Sequence, residues 1–160
     1  MEQFAFDDTP LSRCNFYRKV CDLPAVIDPP SMGRIIMRAS RVWGVTVPAE
    51  LAAMVRLAMR ETYSGACPVI SHPRSRRWTF LTRPDIEDDD RLFAEMFRLN
   101  VSIVRTGGII ALPSPRDRST HLRRWVEPPH GPIRPSGQLV VQAIRTCAGP
   151  PKTKRASRYA

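Results

Sequence analysis

Leu51, Met54, Val55, Ala58 and Met59 recur at the spacing of one helical face, and Leu57 widens the stripe on the Met54 side. Thr46 is a capping residue type, and Pro48 suits a first turn because its missing N–H goes unused there. Gly65, after Tyr63 and Ser64, is placed to end this helix in the left-handed conformation. The two methionines on the stripe are read as core, with an adaptable binding groove as the other reading. Glu87 and Asp88-Asp89-Asp90 load the first turn of a second helix, where negative charge complements the macrodipole. Leu92, Phe93, Met96 and Phe97 supply its buried stripe. Ser136 opens a third helix with a stripe at Leu139, Val140, Ala143, Ile144 and Cys147, and Gly149 with Pro150-Pro151 ends it.

Between these lie short runs rich in β-branched and aromatic residues. Arg34–Met37 after Gly33, Val69-Ile70, Trp78–Leu81, Val101–Arg105, Ile109–Leu112 and Arg123–Val126 are the predicted strands. The polar turn His72–Arg76 joins two of them as an antiparallel pair, and Thr106-Gly107-Gly108 predicts a second hairpin. Three helices against about six short strands, in a mixed but mainly antiparallel sheet, define an α+β class. Residues 1–12 read as a flexible arm with Thr9-Pro10 as a breaker, 13–149 as a single domain, and 150–160 as a disordered basic tail. The segment Cys14–Val26 reads either as a turn or two of helix or as an extended strip on the core.

Charge changes this picture more than composition does. The hydrophobic fraction of 42% is ordinary for a globular chain, while the 16 prolines favour long ordered loops. The net charge of +10 is lopsided: residues 1–99 carry 14 Lys and Arg against 13 Asp and Glu, and residues 100–160 carry 11 against 2. A one-sided basic field suits a polyanion; an arginine-rich composition, with only 3 lysines among the 25 cations, is the plainer explanation. The acidic N-terminus has no signal-peptide pattern, and no apolar run approaches the roughly 20 residues of a membrane helix. The expected location is therefore the cytoplasm, without membrane contact. Cys14, Cys21, Cys67 and Cys147 form no C-x-x-C pair, so reduced thiols without metal or other cofactor are expected.

Candidate chemistry narrows to the arginines. Thr106-Gly107-Gly108 lacks the residues of a phosphate-cradling loop. Three consecutive aspartates at a helix start splay apart, whereas two-metal chemistry needs converging carboxylates. His72, His121 and His130 sit in polar loops with no recognisable nucleophile motif, and no catalytic residue is assigned. Two clusters combine guanidinium forks with an indole face, the pairing that suits phosphate and base. One holds Arg74, Arg76, Arg77 and Trp78; the other holds Arg116, Arg118, His121, Arg123, Arg124 and Trp125. Arg-Arg-Trp thus occurs at 76–78 and again at 123–125, each time opening a predicted strand. With Lys152, Lys154 and Arg155 of the tail, these arginines form the candidate nucleic-acid-binding set. Strand alternation sends Arg77 and Trp78 to opposite faces, so core tryptophans beside solvated arginines are the competing reading.

The phrases Ser71–Leu81, Arg98–Ser102 and Ile110–Pro115 resemble a family of short, largely uncharacterised actinobacterial proteins. Some of its members are named as an RNA polymerase β subunit and related ones as primase–polymerase-like. The resemblance spans about residues 13–148 and implies a nucleic-acid or transcription setting. It carries no catalytic residue across, because the paired acidic residues of a primase–polymerase strand have no counterpart at Asp88-Asp89-Asp90. The expectation is a small accessory protein, without catalysis, that binds nucleic acid or a nucleic-acid-processing complex. A protein-interaction module with incidental charge and a degenerate primase–polymerase-like or hydrolytic enzyme are the alternatives. The oligomeric state is left open.

Overall fold

Strand β5 (Arg77–Thr82) lies at the centre of the fold because almost every residue along it is apolar or a small hydroxyl. Thr79, Phe80, Leu81 and Thr82 are all buried, so both faces of the strand are covered. In this computed structural model, which describes residues 8–117 and 121–149, β5 is the middle of a five-stranded sheet. The other members are β3 (Trp43–Pro48), β4 (Val69–His72), β6 (Ser102–Val104) and β8 (Arg124–Glu127), in the order β6-β3-β5-β4-β8. Every neighbouring pair is antiparallel. A second sheet of three antiparallel strands runs β1 (Ala25–Ile27), β2 (Ile35–Arg38) and β7 (Ile109–Leu112).

Pleating divides the side chains of β5 between two cores. Phe80, with Val45 and Val69 beside it in register, meets the helices α2 (Ala49–Thr62), α3 (Asp90–Arg98) and α4 (Gly137–Ala148). Leu81 and Ile70 meet the small sheet and α1 (Pro10–Lys19) on the opposite side. The layers are therefore helices, five strands, then three strands with a helix. Gly44 makes the approach of the sheets possible. A side chain there would begin 2.9 Å from Ile110 Cδ1 and 3.1 Å from Thr79 Cγ2.

Four helices and eight strands among the described residues make one small α+β domain, richer in elements than the sequence pattern predicts. Apart from an isolated parallel bridge between Arg83 and Ser136, the pairing is antiparallel. The β4–β5 hairpin, the acidic start of α3 and the Ser136 cap of α4 are as expected. Asp89 accepts from Arg91 N and Ser136 from Gln138 N. No helix among the described residues is long and apolar enough to cross a membrane.

Several expectations are corrected. Residues 10–12, read as the end of an arm, belong to α1; Thr9 is its cap rather than a breaker, and Thr9 and Ser12 form a capping box. Thr46 lies inside β3 instead of capping α2, and its hydroxyl meets that of Thr79 at 2.8 Å. Tyr63, in an extended conformation, ends α2, so Gly65 does not serve as its left-handed cap. β6 and β7 are not a hairpin. The turn at Gly107 carries the chain from one sheet to the other, and Ala39 clamps it through its N–H to Gly108 O and its carbonyl to Gly107 N. The core face of α2 is Ala52, Val55 and Met59, while Met54 and Leu57 point outward. On α3, Phe97 is 82% exposed although it continues the apolar run.

Gly44→Val is expected to lower stability by about 1–3 kcal/mol through overpacking. Phe97→Ala should stay within about 0.5 kcal/mol of the parent. Urea unfolding of both variants checks the pair, and a large loss for Phe97→Ala would mean that α3 buries a different face.

Candidate functional site

The β4–β5 turn and the start of β8 emerge at the same end of the central sheet. β4 lies between β5 and β8, with Ser71 opposite both Trp78 and Arg124, and His72 opposite Arg77. The two Arg-Arg-Trp strands are thus one strand apart, not neighbours. Trp78 falls on the helix side of the sheet and Trp125 on the side of the small sheet. The same tripeptide has opposite orientations because the registers on β4 differ by one residue.

Trp125 is structural. Its indole N–H donates to the Tyr17 hydroxyl at 2.9 Å, which donates to Pro113 O at 2.6 Å, and the rings meet edge to face at 5.8 Å. Burial pushes the Tyr17 phenol up to about 12. Trp78 is half-buried and lines a cavity of about 410 Å³ with Pro48, Glu50, Pro73, Arg76 and Arg124. The carbonyl of Arg76 accepts the Ala49 N–H at 2.9 Å and so fastens the hairpin turn to the start of α2.

A second cavity, of about 460 Å³, is lined by Pro73, Asp117, His121, Arg123 and Arg124. Pro73 and Arg124 therefore belong to both. Asp117 is held by a tight turn, where its carboxylate accepts Ser114 N–H at 2.8 Å and the Ser114 hydroxyl donates to Gly33 O at 2.6 Å. Arg123 faces Asp117 at 3.5 Å, with both side chains almost fully buried. Burial draws the Arg123 guanidinium below the usual arginine range; Asp117 opposes that and Arg34 adds to it.

His72 sits behind this wall. Its Nε2 lies 2.9 Å from Thr79 Oγ1, which in turn lies 2.8 Å from Thr46 Oγ1. The ring is pulled down to about 4 by burial first, then by Arg123 and Arg77, and is neutral at neutral pH. The pair Thr79–His72 has the distance of a nucleophile and its base, but Thr79 is 3% exposed inside the sheet. It is a hydrogen-bonded core pair, out of reach of a substrate.

The predicted arginines separate accordingly. Arg74 and Arg76 are exposed on the hairpin turn, Arg124 is exposed at the edge strand, and Arg123 is largely buried beside Asp117. Arg77 is committed to the fold, donating to Thr46 O at 3.0 Å and Ser102 Oγ at 3.3 Å. Arg116 is exposed beside Gly33. Arg118, Lys152, Lys154 and Arg155 lie outside the described residues. Asp117 and Arg34 were not among the predicted site residues. Arg34 joins the field from a distant strand end with no local motif to mark it. Three of the four cysteines are buried, and burial lifts Cys21 to about 11 and Cys67 to about 12, well above reactive thiols. No group of three or more candidate metal ligands occurs among the described residues.

Comparisons with protein-family models, curated proteins and solved structures find no match to the chain.

The lowered value at His72 has a signed consequence. Between about 4 and the ordinary 6.5, the unfolded chain binds a proton there that the folded chain refuses. Its contribution is full above 6.5 and is lost as pH falls towards 4. His72→Gln should therefore lose less stability than the parent between about pH 7 and about pH 5, as read from urea midpoints. An unchanged pH dependence in the variant would show that His72 is solvated.

Proposed function

We propose that the chain is a nucleic-acid-binding module, without catalysis of its own, that grips its ligand at the arginine-lined end of the central sheet. One observation carries this reading. Arg76 from the hairpin turn, Arg123 just before β8 and Arg124 at its start line two adjoining cavities that share Pro73 and Arg124, and Arg74 is exposed on the same turn. Sequence distance places these cations far apart, yet the β5-β4-β8 order gathers them. Asp117 and Glu50 are the carboxylates among the lining residues. Guanidinium forks match phosphate oxygens, and the half-buried indole of Trp78 offers a stacking face beside them. A nucleic-acid setting is also what the actinobacterial resemblance implies.

An enzymatic reading has less support, since the hydroxyl–histidine pair found at this end among the described residues, Thr79–His72, is sealed in the sheet. A protein-interaction reading is favoured by a different observation. Met54 and Leu57, one turn apart on α2, present apolar side chains more than half exposed.

Binding of labelled single- and double-stranded DNA and RNA across a salt series tests the proposal. Each phosphate neutralised on a duplex contributes roughly −0.9 to the slope of log affinity against log salt. Arg76→Ala and Arg124→Ala should each flatten that slope by about one phosphate's worth. The steep slope should survive truncation after Gly149. Loss of all binding with the tail would reduce the effect to nonspecific attraction. Absence of binding at low salt would overturn the proposal and turn the search to a protein partner at Met54 and Leu57.

A further inference from the structure

Among the described residues lining the cavity of about 410 Å³, the charges are Arg76, Arg124 and one carboxylate, Glu50. All three residues are exposed, and no ion pair or hydrogen bond among the described residues engages their side chains. Opposite charges that share a cavity without pairing stay available to a guest, and the guest has to answer both signs.

The sheet supplies the floor. Ser71 is in register with Trp78 on one side and with Arg124 on the other, so the three side chains form one row on the helix side of the sheet. Strand spacing sets the backbones of Trp78 and Arg124 about 10 Å apart. Only the small, buried Ser71 stands between them, which leaves room for a flat ring against the indole. The start of α2 forms one wall and the hairpin turn another, joined where Ala49 N–H donates to Arg76 O at 2.9 Å. Glu50 follows directly on α2, so its carboxylate stands over the same cavity.

This arrangement defines the guest. A phosphate seated beside Glu50 would meet a like charge, and a cationic side chain would meet Arg76 and Arg124. A neutral aromatic ring with N–H donors on its edge, carried between phosphates, satisfies all of them: a nucleobase within a strand. A carboxylate only accepts, and its two oxygens match two adjacent donors. Guanine offers that pair, N1–H beside the N2 amino group. Adenine and cytosine offer an amino group next to a ring acceptor, and thymine or uracil offers one N–H between two carbonyls. The guanine edge is free only when the base is unpaired.

We infer that the Trp78 cavity takes one unpaired guanine of a single strand, stacked on the indole and read by Glu50, with Arg76 and Arg124 holding the flanking phosphates. The inference rests on the nucleic-acid reading and adds base selection to it.

The test uses the full chain and labelled oligothymidine strands of one length whose central base is thymine, guanine, adenine, cytosine or hypoxanthine. The guanine strand should bind roughly tenfold more tightly than the thymine strand, with hypoxanthine, which lacks the N2 amino group, in between. Pairing the guanine strand with its complement should remove the preference. Glu50→Gln, at an exposed position, should abolish it, whereas Glu61→Gln, exposed at the far end of the same helix, should retain it. Quenching of tryptophan fluorescence by the guanine strand should be lost in Trp78→Phe, because Trp43 and Trp125 are tied to Thr106 and Tyr17. Quenching that persists in that variant would overturn the stacking. A guanine preference that survives Glu50→Gln, a preference for another base, or equal affinity for all strands with a steep salt slope would overturn base selection by Glu50 and leave the nucleic-acid reading standing. No binding of any strand would overturn both.

Discussion

Burial of β5 on both faces is the constraint from which the rest of the molecule follows. A strand with Phe80 directed into one core and Leu81 into another needs a layer on each side. The three helices supply one, and the small sheet with α1 supplies the other. Polar groups caught between them must pair internally. The chain of contacts Thr46–Thr79–His72 meets that requirement, with Arg77 bracing the adjoining backbone of β3. Once both faces are closed, the ends of the sheet are where charged side chains from several strands can gather. The candidate site is a consequence of the layering as much as of the arginines themselves.

Much of this was legible in the sequence where a single local cause decided the outcome. The hairpin turn after His72, the aspartates before α3 and Ser136 before α4 each act through their own backbone neighbours. Legibility failed where a distant neighbour decided. Trp43–Pro48 has strand chemistry, but Pro48 ends β3 and caps α2 at once, so the helix signal hid the strand. Counting large apolar residues on α2 weights Leu51 and Met54, while packing close to α4 selects Ala52 for its small size. A strand–Gly-Gly–strand run reads as a hairpin, yet β2 and β3 capture its two arms for different sheets. None of these neighbours is visible in a window of ten residues.

The repeated Arg-Arg-Trp shows the same limit within the site. Trp78 and Trp125 are identical in local sequence and differ in fate because the pairing with β4 is offset by one residue. One indole stays half-exposed at a cavity while the other is locked to Tyr17. The offset reverses the arginine before each tryptophan too, so Arg124 shares a face with Trp78 while Arg77 lies on the other. A motif count weights the two copies equally; the register leaves only one of them with a usable aromatic face.

Charge at an edge strand has an explanation that needs no ligand, and it separates the arginines further. β8 is a short edge strand with an irregularity in its pairing between Val69 and Ile70. Exposed cations on such an edge discourage pairing with another chain. Arg124, exposed on that edge, satisfies the role by itself. Arg123 cannot, because a guanidinium that is 10% exposed guards nothing. Nor does it add stability as an ion pair, since burial of both partners offsets what a 3.5 Å contact with Asp117 returns. Edge protection and core stability together account for the other described arginines of β5 and β8. Arg123, just before β8 and largely buried beside Asp117, is the one whose position neither explains.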